Sequence, residues 1–186
     1  MLAVIASLAE EGDNEKIVKV CGKLSQNLRY VSSFSETEVP LNDEVSNAIS
    51  YLELMKIRYE EKLEYSIQYI GDDSAPLVPK FILQPLLENS FRNGFKKAFP
   101  WQLSLEVYTT SDLWYVKLID NGVGMDVAAL EKIRGKIAQI KKESTQLIIE
   151  ELKIGGLSIP NICMRLFLLY RENMIFEVDS VQGEYF

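Results

Sequence analysis

The sequence has no histidine among its 186 residues. That absence excludes Ser-His and Cys-His catalysis, and it also excludes imidazole metal sites. Cysteine is scarce too: Cys21 and Cys163 lack the spacing of a metal site, and each lies in an apolar helical pattern. We therefore predict two buried free thiols in a reducing compartment. No apolar run approaches the roughly 20 residues that span a bilayer, and no stretch has the pattern of a signal peptide.

Positive charge is also in short supply. The chain has 20 Lys and Arg residues against 27 Asp and Glu residues, a net charge of −7. Nucleic acid binding requires a basic footprint, so this balance argues against nucleic acid as a partner, and it equally argues against an anionic membrane surface. The 47% hydrophobic and 25% charged content is ordinary for a globular protein. A chain of this length can form one domain with a substantial core plus an appendage.

The most informative stretch runs from residue 119 to residue 125, Ile-Asp-Asn-Gly-Val-Gly-Met. It follows a segment rich in β-branched and aromatic residues, which predicts a strand that ends near Asp120. Gly122 and Gly124 allow a tight turn and the approach of a ligand. A carboxylate beside such a turn can accept a hydrogen bond from an exocyclic amine. Taken alone, however, this pattern favours a strand followed by an Asn-Gly turn.

Two further blocks give the stretch a context. Residues 83–94 read Leu-Gln-Pro-Leu-Leu-Glu-Asn-Ser-Phe-Arg-Asn-Gly, and residues 155–166 read Gly-Gly-Leu-Ser-Ile-Pro-Asn-Ile-Cys-Met-Arg-Leu. In this order the three blocks resemble the N, G1 and G2 boxes of the ATP-binding domain shared by histidine kinases, gyrase, Hsp90 and MutL. The Leu-Gln-Pro-Leu-x-Glu-Asn pattern at 83–89 and the segment 51–59 more closely resemble sensor histidine kinases of the LytS/YehU type.

The resemblance implies a site for ATP and Mg²⁺. Asp120 is expected to fix adenine, Asn89 to ligate Mg²⁺, and Glu88 to orient or deprotonate the acceptor as the catalytic residue. The cofactor-binding residues it implies are Asn89, Arg92, Asn93, Asp120, Gly122, Gly124, Met125, Gly155, Gly156, Ser158, Ile159 and Asn161. Ser158 replaces a glycine of the family pattern, and Asn93 stands where the family usually has a ring.

The first part of the chain predicts a helical hairpin. Residues 2–11 and about 14–31 have helical patterns, and the second helix carries an apolar seam with 4-3 spacing, formed by Ile17, Cys21, Leu24, Leu28 and Val31. The pattern fits a helix packed on its own domain and half of an antiparallel four-helix bundle equally well. The resemblance favours the bundle, because the dimerisation and phosphoacceptor region of the family lies here.

The rest of the chain alternates between strand and helix patterns. The predicted elements are a short strand at 39–41, a helix capped at 42–44, a strand at 63–70, a helix from Pro79, a hairpin of strands at 103–109 and 113–120, a charged helix from Asp126 to about Leu152 whose later part is an ATP lid, a helix from about Pro160 and a strand at 174–178. The resemblance implies an α+β fold. Its core is a two-layer α/β sandwich, in which a mixed, largely antiparallel sheet has helices on one face.

These expectations combine into one function. Residues 1–36 form part of a dimerisation and phosphoacceptor region, and residues 37–186 form an ATP-binding catalytic domain whose last strand looks truncated. The chain is expected to be the catalytic fragment of a two-component sensor histidine kinase, and to transfer the γ-phosphoryl group to a histidine outside it. Its expected partners are a second copy, bound through the N-terminal helices, and a response regulator. The expected location is the cytoplasmic side of a bacterial inner membrane, which only upstream segments would reach.

Two alternatives remain open. A degenerate kinase-like module could dimerise and dock a partner without phosphoryl transfer, and Ser158 and Asn93 support this hypothesis. An ATPase-driven clamp of the gyrase or MutL kind needs a glutamate about one helical turn before Asn89. Pro85 occupies that region, which disfavours the clamp.

Overall fold

The computed structural model describes residues 2–32, 37–71, 76–96, 99–142 and 158–182. Its helices and strands, in chain order, are α1 (Leu2–Glu11), α2 (Asn14–Ser32), β1 (Glu38–Pro40), α3 (Leu41–Tyr59), β2 (Leu63–Gly71), β3 (Leu77–Pro79), α4 (Leu83–Asn89), β4 (Trp101–Thr109), β5 (Trp114–Asp120), α5 (Val127–Ile140) and α6 (Ile159–Tyr170). A π-helical turn, Ser90–Gly94, continues α4. The predicted α+β fold with N-terminal helices is confirmed.

The central sheet has the order β2-β4-β5. The β2 and β4 strands are parallel, whereas β4 and β5 form the predicted antiparallel hairpin. Burial alternates along β4: Leu103, Leu105 and Val107 are buried, and Gln102 and Ser104 on the other side are exposed. This alternation is what a sheet with one covered face requires. The helices therefore lie on one face, as the two-layer architecture predicts.

The α2 helix packs on α3 with a face other than its predicted seam. Val20 is fully buried, and Lys23 forms an ion pair of 2.5 Å with Glu53 of α3. Leu28 of the seam is 60% exposed. The prediction that Cys21 is buried is wrong, because Cys21 lies about 100° around the helix from Val20 and is exposed. The chain's own domain thus leaves Cys21, Leu28 and Val31 of the seam exposed, whereas Ile17 and Leu24 are partly buried.

The helix that carries the first sequence block begins later than predicted. Pro79 does not start it, because Pro79 is the last residue of β3 and lies opposite Glu38 of β1. The helix begins at Leu83, after a turn in which Phe81 has a φ of +61°. The predicted cap of α3 at 42–44 is also wrong. Pro40 occupies the N-cap position, and no side chain caps it.

The C-terminal half departs from the predictions in two places. Asp126 caps α5 through the Ala129 amide at 2.7 Å, but this helix ends at Ile140 and does not continue unbroken to Leu152. The predicted lid lies mostly at 143–157, outside the described residues. The strand predicted at 174–178 is wrong, although burial still alternates there. Its Val178 carbonyl accepts a hydrogen bond from the Arg134 side chain at 3.0 Å.

Candidate functional site

Asp120 stands at the end of β5 with 1% of its surface exposed. Its Oδ2 accepts a hydrogen bond from the Ser90 hydroxyl at 2.5 Å, and its Oδ1 accepts one from the Gly122 amide at 2.8 Å. Donors on both oxygens fix the plane of the carboxylate. The first two sequence blocks therefore meet at one buried acceptor, because Ser90 follows α4 and Gly122 follows β5.

The glycines of these blocks touch one another. The Val123 amide donates to the Gly94 carbonyl at 2.8 Å. A Cβ on Gly122 would lie 2.7 Å from the Gly94 Cα and 2.6 Å from the Asp120 Oδ1. Gly124 has a φ of +66°, and a Cβ there would lie 2.4 Å from the Val181 carbonyl oxygen. Gly94 and Gly122 therefore serve close packing around Asp120, and Gly124 serves close packing against the backbone of Val181. The predicted contact of Gly122 and Gly124 with a ligand stays a prediction.

A polar face of α4 and its π turn adjoins this cluster. The Asn93 side chain donates to the Asn89 Oδ1 at 2.8 Å. Asn89 and Glu88 are partly buried, whereas Arg92 and Asn93 are exposed. An amide oxygen has two lone pairs, so the Asn89 oxygen can still ligate a cation while it accepts from Asn93.

Glu88 is held by a chain of amides. Its Oε1 accepts from the Gln84 side chain at 2.9 Å, and the Gln84 oxygen in turn accepts from the Asn47 amide at 2.9 Å. Burial, followed by the charge of Glu88, raises the pKa of Tyr51 above its usual range. Tyr51 therefore stays a neutral phenol beside the carboxylate at physiological pH. This arrangement fixes a carboxylate on the polar face of α4, which we call the motif helix because it carries the first sequence block.

An aromatic cluster supports the π turn from behind. Phe91 stacks on Tyr59 with ring centroids 5.9 Å apart, and Phe95 stacks on Trp101 at 5.1 Å. The Phe95 amide donates to the Ser90 carbonyl at 2.9 Å, five residues earlier. Such widened turns inside helices are frequent at functional sites. Here the turn carries Ser90, whose hydroxyl reaches Asp120.

The third sequence block is described only from Ser158 onward. Gly155 and Gly156 lie outside the described residues. Ser158 is exposed at the N-cap of α6 and makes no capping hydrogen bond with its side chain. Ile159 and Asn161, in the first turn of α6, are both buried. The described residues thus join the first two blocks directly, and the place of the third block beside a nucleotide stays a prediction.

Sequence reasoning missed two buried polar residues. Ser90 falls within the apolar stripe of the motif helix, three residues after Leu87, and a polar residue in a core stripe was the available signal. Glu44 is 1% exposed and accepts from the amides of Phe81, Ile82 and Leu83. These three amides lie almost forty residues away, so no local pattern could identify this role of Glu44.

Three other features of the described residues were compared with this site. A shallow groove of about 480 Å³ lies on the open face of the sheet, lined by residues such as Glu64, Ser66, Gln102 and Ser104. Asp120 and Asn121 also line it, so the groove borders the cluster at the end of β5. Within the described ranges, no three acidic or thiol groups converge as a metal site. None of the described helices is long and apolar enough to cross a membrane.

Comparisons with known proteins give the site its context. The family model described as "Histidine kinase" matches residues 1–63. The sensor protein LytS of Bacillus cereus is 29% identical over 175 residues, which cover 92% of this chain and 28% of LytS. The sensor protein kinase HptS of Staphylococcus aureus is 27% identical over 115 residues, 62% of this chain and 22% of HptS.

A protein of Staphylococcus epidermidis named as an uncharacterized sensor-like histidine kinase is also similar. It is 27% identical over 133 residues, which cover 72% of this chain and 26% of that protein. The chain thus spans little more than a quarter, or less, of the length of these relatives. The three ordered sequence blocks, the α+β fold and these matches agree in supporting a module of the LytS-type sensor histidine kinases.

Proposed function

We propose that this chain is the ATP-binding catalytic part of a two-component sensor histidine kinase. The observation that carries the proposal is the Ser90–Asp120–Gly122 cluster, in which a buried carboxylate is held in one orientation between two of the sequence blocks. Adenine presents an exocyclic amine, so a fixed acceptor recognises it and disfavours a base with a carbonyl at that position. Gly124 and Met125 follow on the same turn.

The phosphate end of the proposed site uses the polar face of the motif helix. Bound Mg²⁺ supplies charge neutralisation among phosphate oxygens. Asn89 would provide a hard oxygen ligand, and the exposed Arg92 would pair with a phosphate. The donor set fits this role, because a single amide oxygen suits a metal that phosphates already hold. Backbone groups at 155–156 and the first turn of α6, with Ser158, Ile159 and Asn161, would complete the phosphate end.

Glu88 would orient or deprotonate the acceptor imidazole. Its carboxylate is held by the Gln84 amide, which limits its rotation. Positioning and charge neutralisation would carry most of the catalysis, as in other phosphoryl transfers. The chain has no histidine, so the acceptor must come from a longer protein or from a second molecule.

The proposed setting is two-component signalling on the cytoplasmic side of a membrane. In the whole protein, the N-terminal helices would form a homodimer, and a response regulator would receive the phosphoryl group. Other segments of that protein would provide any contact with the membrane.

A second candidate is a module that binds a partner without phosphoryl transfer. The hydrogen bond from Asn93 to the Asn89 oxygen favours it, because it occupies one lone pair of the proposed Mg²⁺ ligand. The two candidates differ in one measurable property. A longer protein that carries the acceptor histidine would bind the nucleotide in both cases and would become phosphorylated only in the first.

The first test is calorimetric titration of Mg²⁺-ADP into this chain and into Asp120→Asn. The loss of a charge-assisted hydrogen bond to adenine should weaken binding by roughly 10- to 150-fold. The control is Asp112→Asn, which changes an exposed aspartate in the turn at the other end of β5 and should leave the affinity unchanged. Thermal unfolding of each variant separates lost binding from lost folding. The proposal is contradicted if the unchanged chain shows no binding, or if both variants bind equally well.

A further inference from the structure

The motif helix begins without a cap of its own. Ile82, at the N-cap position of α4, makes no capping hydrogen bond with its side chain. The amides of Phe81, Ile82 and Leu83 instead donate to the carboxylate of Glu44 at 2.6, 2.8 and 3.0 Å. Successive N–H groups in a turn that contains a left-handed residue form a concavity that holds an anion, and Phe81 is the left-handed residue here. Here the anion is a side chain of α3, so a distant residue performs the capping.

The turn before α4 is also held from α6. Arg165 donates to the backbone carbonyl oxygens of Lys80 and Phe81, the latter at 3.3 Å. Glu44 is 1% exposed, and a buried carboxylate is tolerated only when several donors satisfy it. The direction in which α4 leaves this turn is therefore fixed from two sides.

Tyr30 connects the N-terminal hairpin to the same carboxylate. Its hydroxyl donates to the Glu44 Oε1, and its ring lies edge-on to Phe81 with the ring centroids 5.3 Å apart. The Lys80 ammonium lies 4.6 Å from the centre of the Tyr30 ring. Burial and the hydrogen bond to Glu44 raise the pKa of Tyr30 above its usual range. The phenol therefore keeps the proton that it donates.

The motif helix is anchored at both ends. Glu44 holds its first amides, and the contacts of Ser90 and Gly94 with the Asp120 turn hold its last residues. Glu88 and Asn89 lie between these two anchors. Contacts at both ends determine the tilt and the rotation of a short helix, whereas a contact at one end leaves the helix free to turn about that end.

We propose that Glu44 is the positioning residue of the helix that carries Asn89, and that the Tyr30 hydroxyl makes this position depend on how the N-terminal hairpin is seated. That this position of α4 serves to place a Mg²⁺ ligand rests on the proposed function. The link from Tyr30 through Glu44 to α4 is present in the chain without nucleotide. The seating of α2 would thereby alter the nucleotide site, and by linkage a bound nucleotide would alter the exchange of α2 amides.

Hydrogen exchange of four proteins tests the connection without nucleotide. They are the unchanged chain, Glu44→Gln, Tyr30→Phe and the matched control Glu53→Gln, which removes the ion pair with Lys23, a different polar contact between α2 and α3. Exchange at the amides of 81–83 should accelerate at least about 10-fold in Glu44→Gln and roughly 3- to 10-fold in Tyr30→Phe. It should stay within about 2-fold in Glu53→Gln. The proposal is overturned if Tyr30→Phe and Glu53→Gln behave alike.

The same samples with saturating Mg²⁺-ADP test the transmission. In the unchanged chain and in Glu53→Gln, nucleotide should change exchange both at 83–94 and in the last two turns of α2. Tyr30→Phe should keep the change at 83–94 and lose the change in α2. An equal change in α2 for Tyr30→Phe would refute the dependence on the hairpin. If nucleotide changes the exchange of no amide in the unchanged chain, the proposed function is wrong, and so is the proposal that α4 is positioned for Mg²⁺. The comparison without nucleotide still decides whether Glu44 caps and positions α4.

Discussion

At the residue scale, Gly122 is the position where one added methyl group has the clearest consequence. An alanine Cβ there would stand 2.6 Å from an Asp120 oxygen and 2.7 Å from the backbone of Gly94. Both neighbours are held in place by hydrogen bonds, so neither can move cheaply. We expect Gly122→Ala to lower the free energy of unfolding by about 1–3 kcal/mol, as overpacking does, measured by urea denaturation.

Gly135 provides the matched control for this prediction. It lies exposed inside α5, and an added Cβ would meet nothing within 4 Å. Since alanine has a higher helix propensity than glycine, Gly135→Ala should raise the free energy of unfolding by about 0.5–1 kcal/mol. If the two substitutions change the free energy of unfolding in opposite directions, then packing at the Asp120 turn, and not the loss of glycine itself, explains the destabilisation by Gly122→Ala. Similar effects at both positions would contradict this explanation.

Cys163 gives a prediction for pH dependence. The thiol is fully buried in α6, and burial raises the pKa of Cys163 from 9.0 to about 11. The unfolded chain therefore loses this proton at a lower pH than the folded chain. The stabilisation is fully present below about pH 9 and is lost as the pH rises toward 11. Two pKa units correspond to at most about 3 kcal/mol.

The measurement is the free energy of unfolding of the unchanged chain and of Cys163→Ala between pH 8 and pH 11. The variant should lose less stability over this interval, because the titrating thiol is gone, whatever its stability at neutral pH. Tyr30 and Tyr51, whose pKa values are also raised, titrate in both proteins and cancel in the comparison. Cys21→Ala removes an exposed thiol and should follow the unchanged chain. Parallel curves for all three proteins would contradict a buried, neutral Cys163.

At the scale of elements, the sequence predicts what local periodicity determines. The strands at 63–70 and 103–109 alternate in the sequence, and the structure has β2 and β4 there. The apolar residues of α3 at helical spacing predict one buried stripe, and Val45, Leu52 and Met55 are buried while Ile49 is partly buried. In each case the pattern that identifies the element also faces the core, so local and tertiary preferences agree.

The misplaced start of α4 shows where local reasoning fails. A proline before an apolar repeat predicts the first turn of a helix, yet Pro79 belongs to β3 and pairs with β1. The helix starts only where Glu44, from another helix, can cap it. Similarly, alternation at 174–178 predicted a strand, but a strand also needs a partner for its backbone groups. Tertiary contacts decide both cases, and a single sequence does not display them.

The candidate site likewise has a part that the sequence predicts and a part that only tertiary contacts determine. The pairing of the 83–94 block with the Asp120 turn follows from the ordered motifs, and the structure brings these two blocks into direct contact. The hydroxyl that holds Asp120 and the carboxylate that caps α4 were not predicted. Asp120 lies 30 residues from the Ser90 hydroxyl, and the capped Ile82 amide lies 38 residues from Glu44. The polar residues of a motif are visible in a sequence, whereas the residues that hold them in position usually are not.

At the scale of the whole molecule, the exposed seam of α2 bears on the predicted homodimer. The helix covers its own domain with the face that includes Val20, and it leaves Leu28 60% and Val31 43% exposed. The helix therefore packs on its own domain, as the first alternative says, and the exposed residues leave the four-helix bundle of the second alternative open as a prediction. Residues 1–63, which contain the hairpin, match the histidine kinase family model. A second copy that covers the seam remains the prediction.

Substitution of Leu28 by aspartate tests this prediction. We expect concentration-dependent association of the chain in sedimentation velocity, and Leu28→Asp should weaken it roughly 100-fold. Each dimer would lose two buried leucines, at about 1.5 kcal/mol or more each. Val18→Asp is the control, because Val18 is 72% exposed but lies about 80° around α2 from Leu28. Since both positions are exposed, neither variant should lower the melting temperature of the monomer by more than a few degrees. Equal loss of association in both variants would point to general repulsion between acidic chains, whereas a chain that stays monomeric at every concentration would show that this seam alone does not form the dimer.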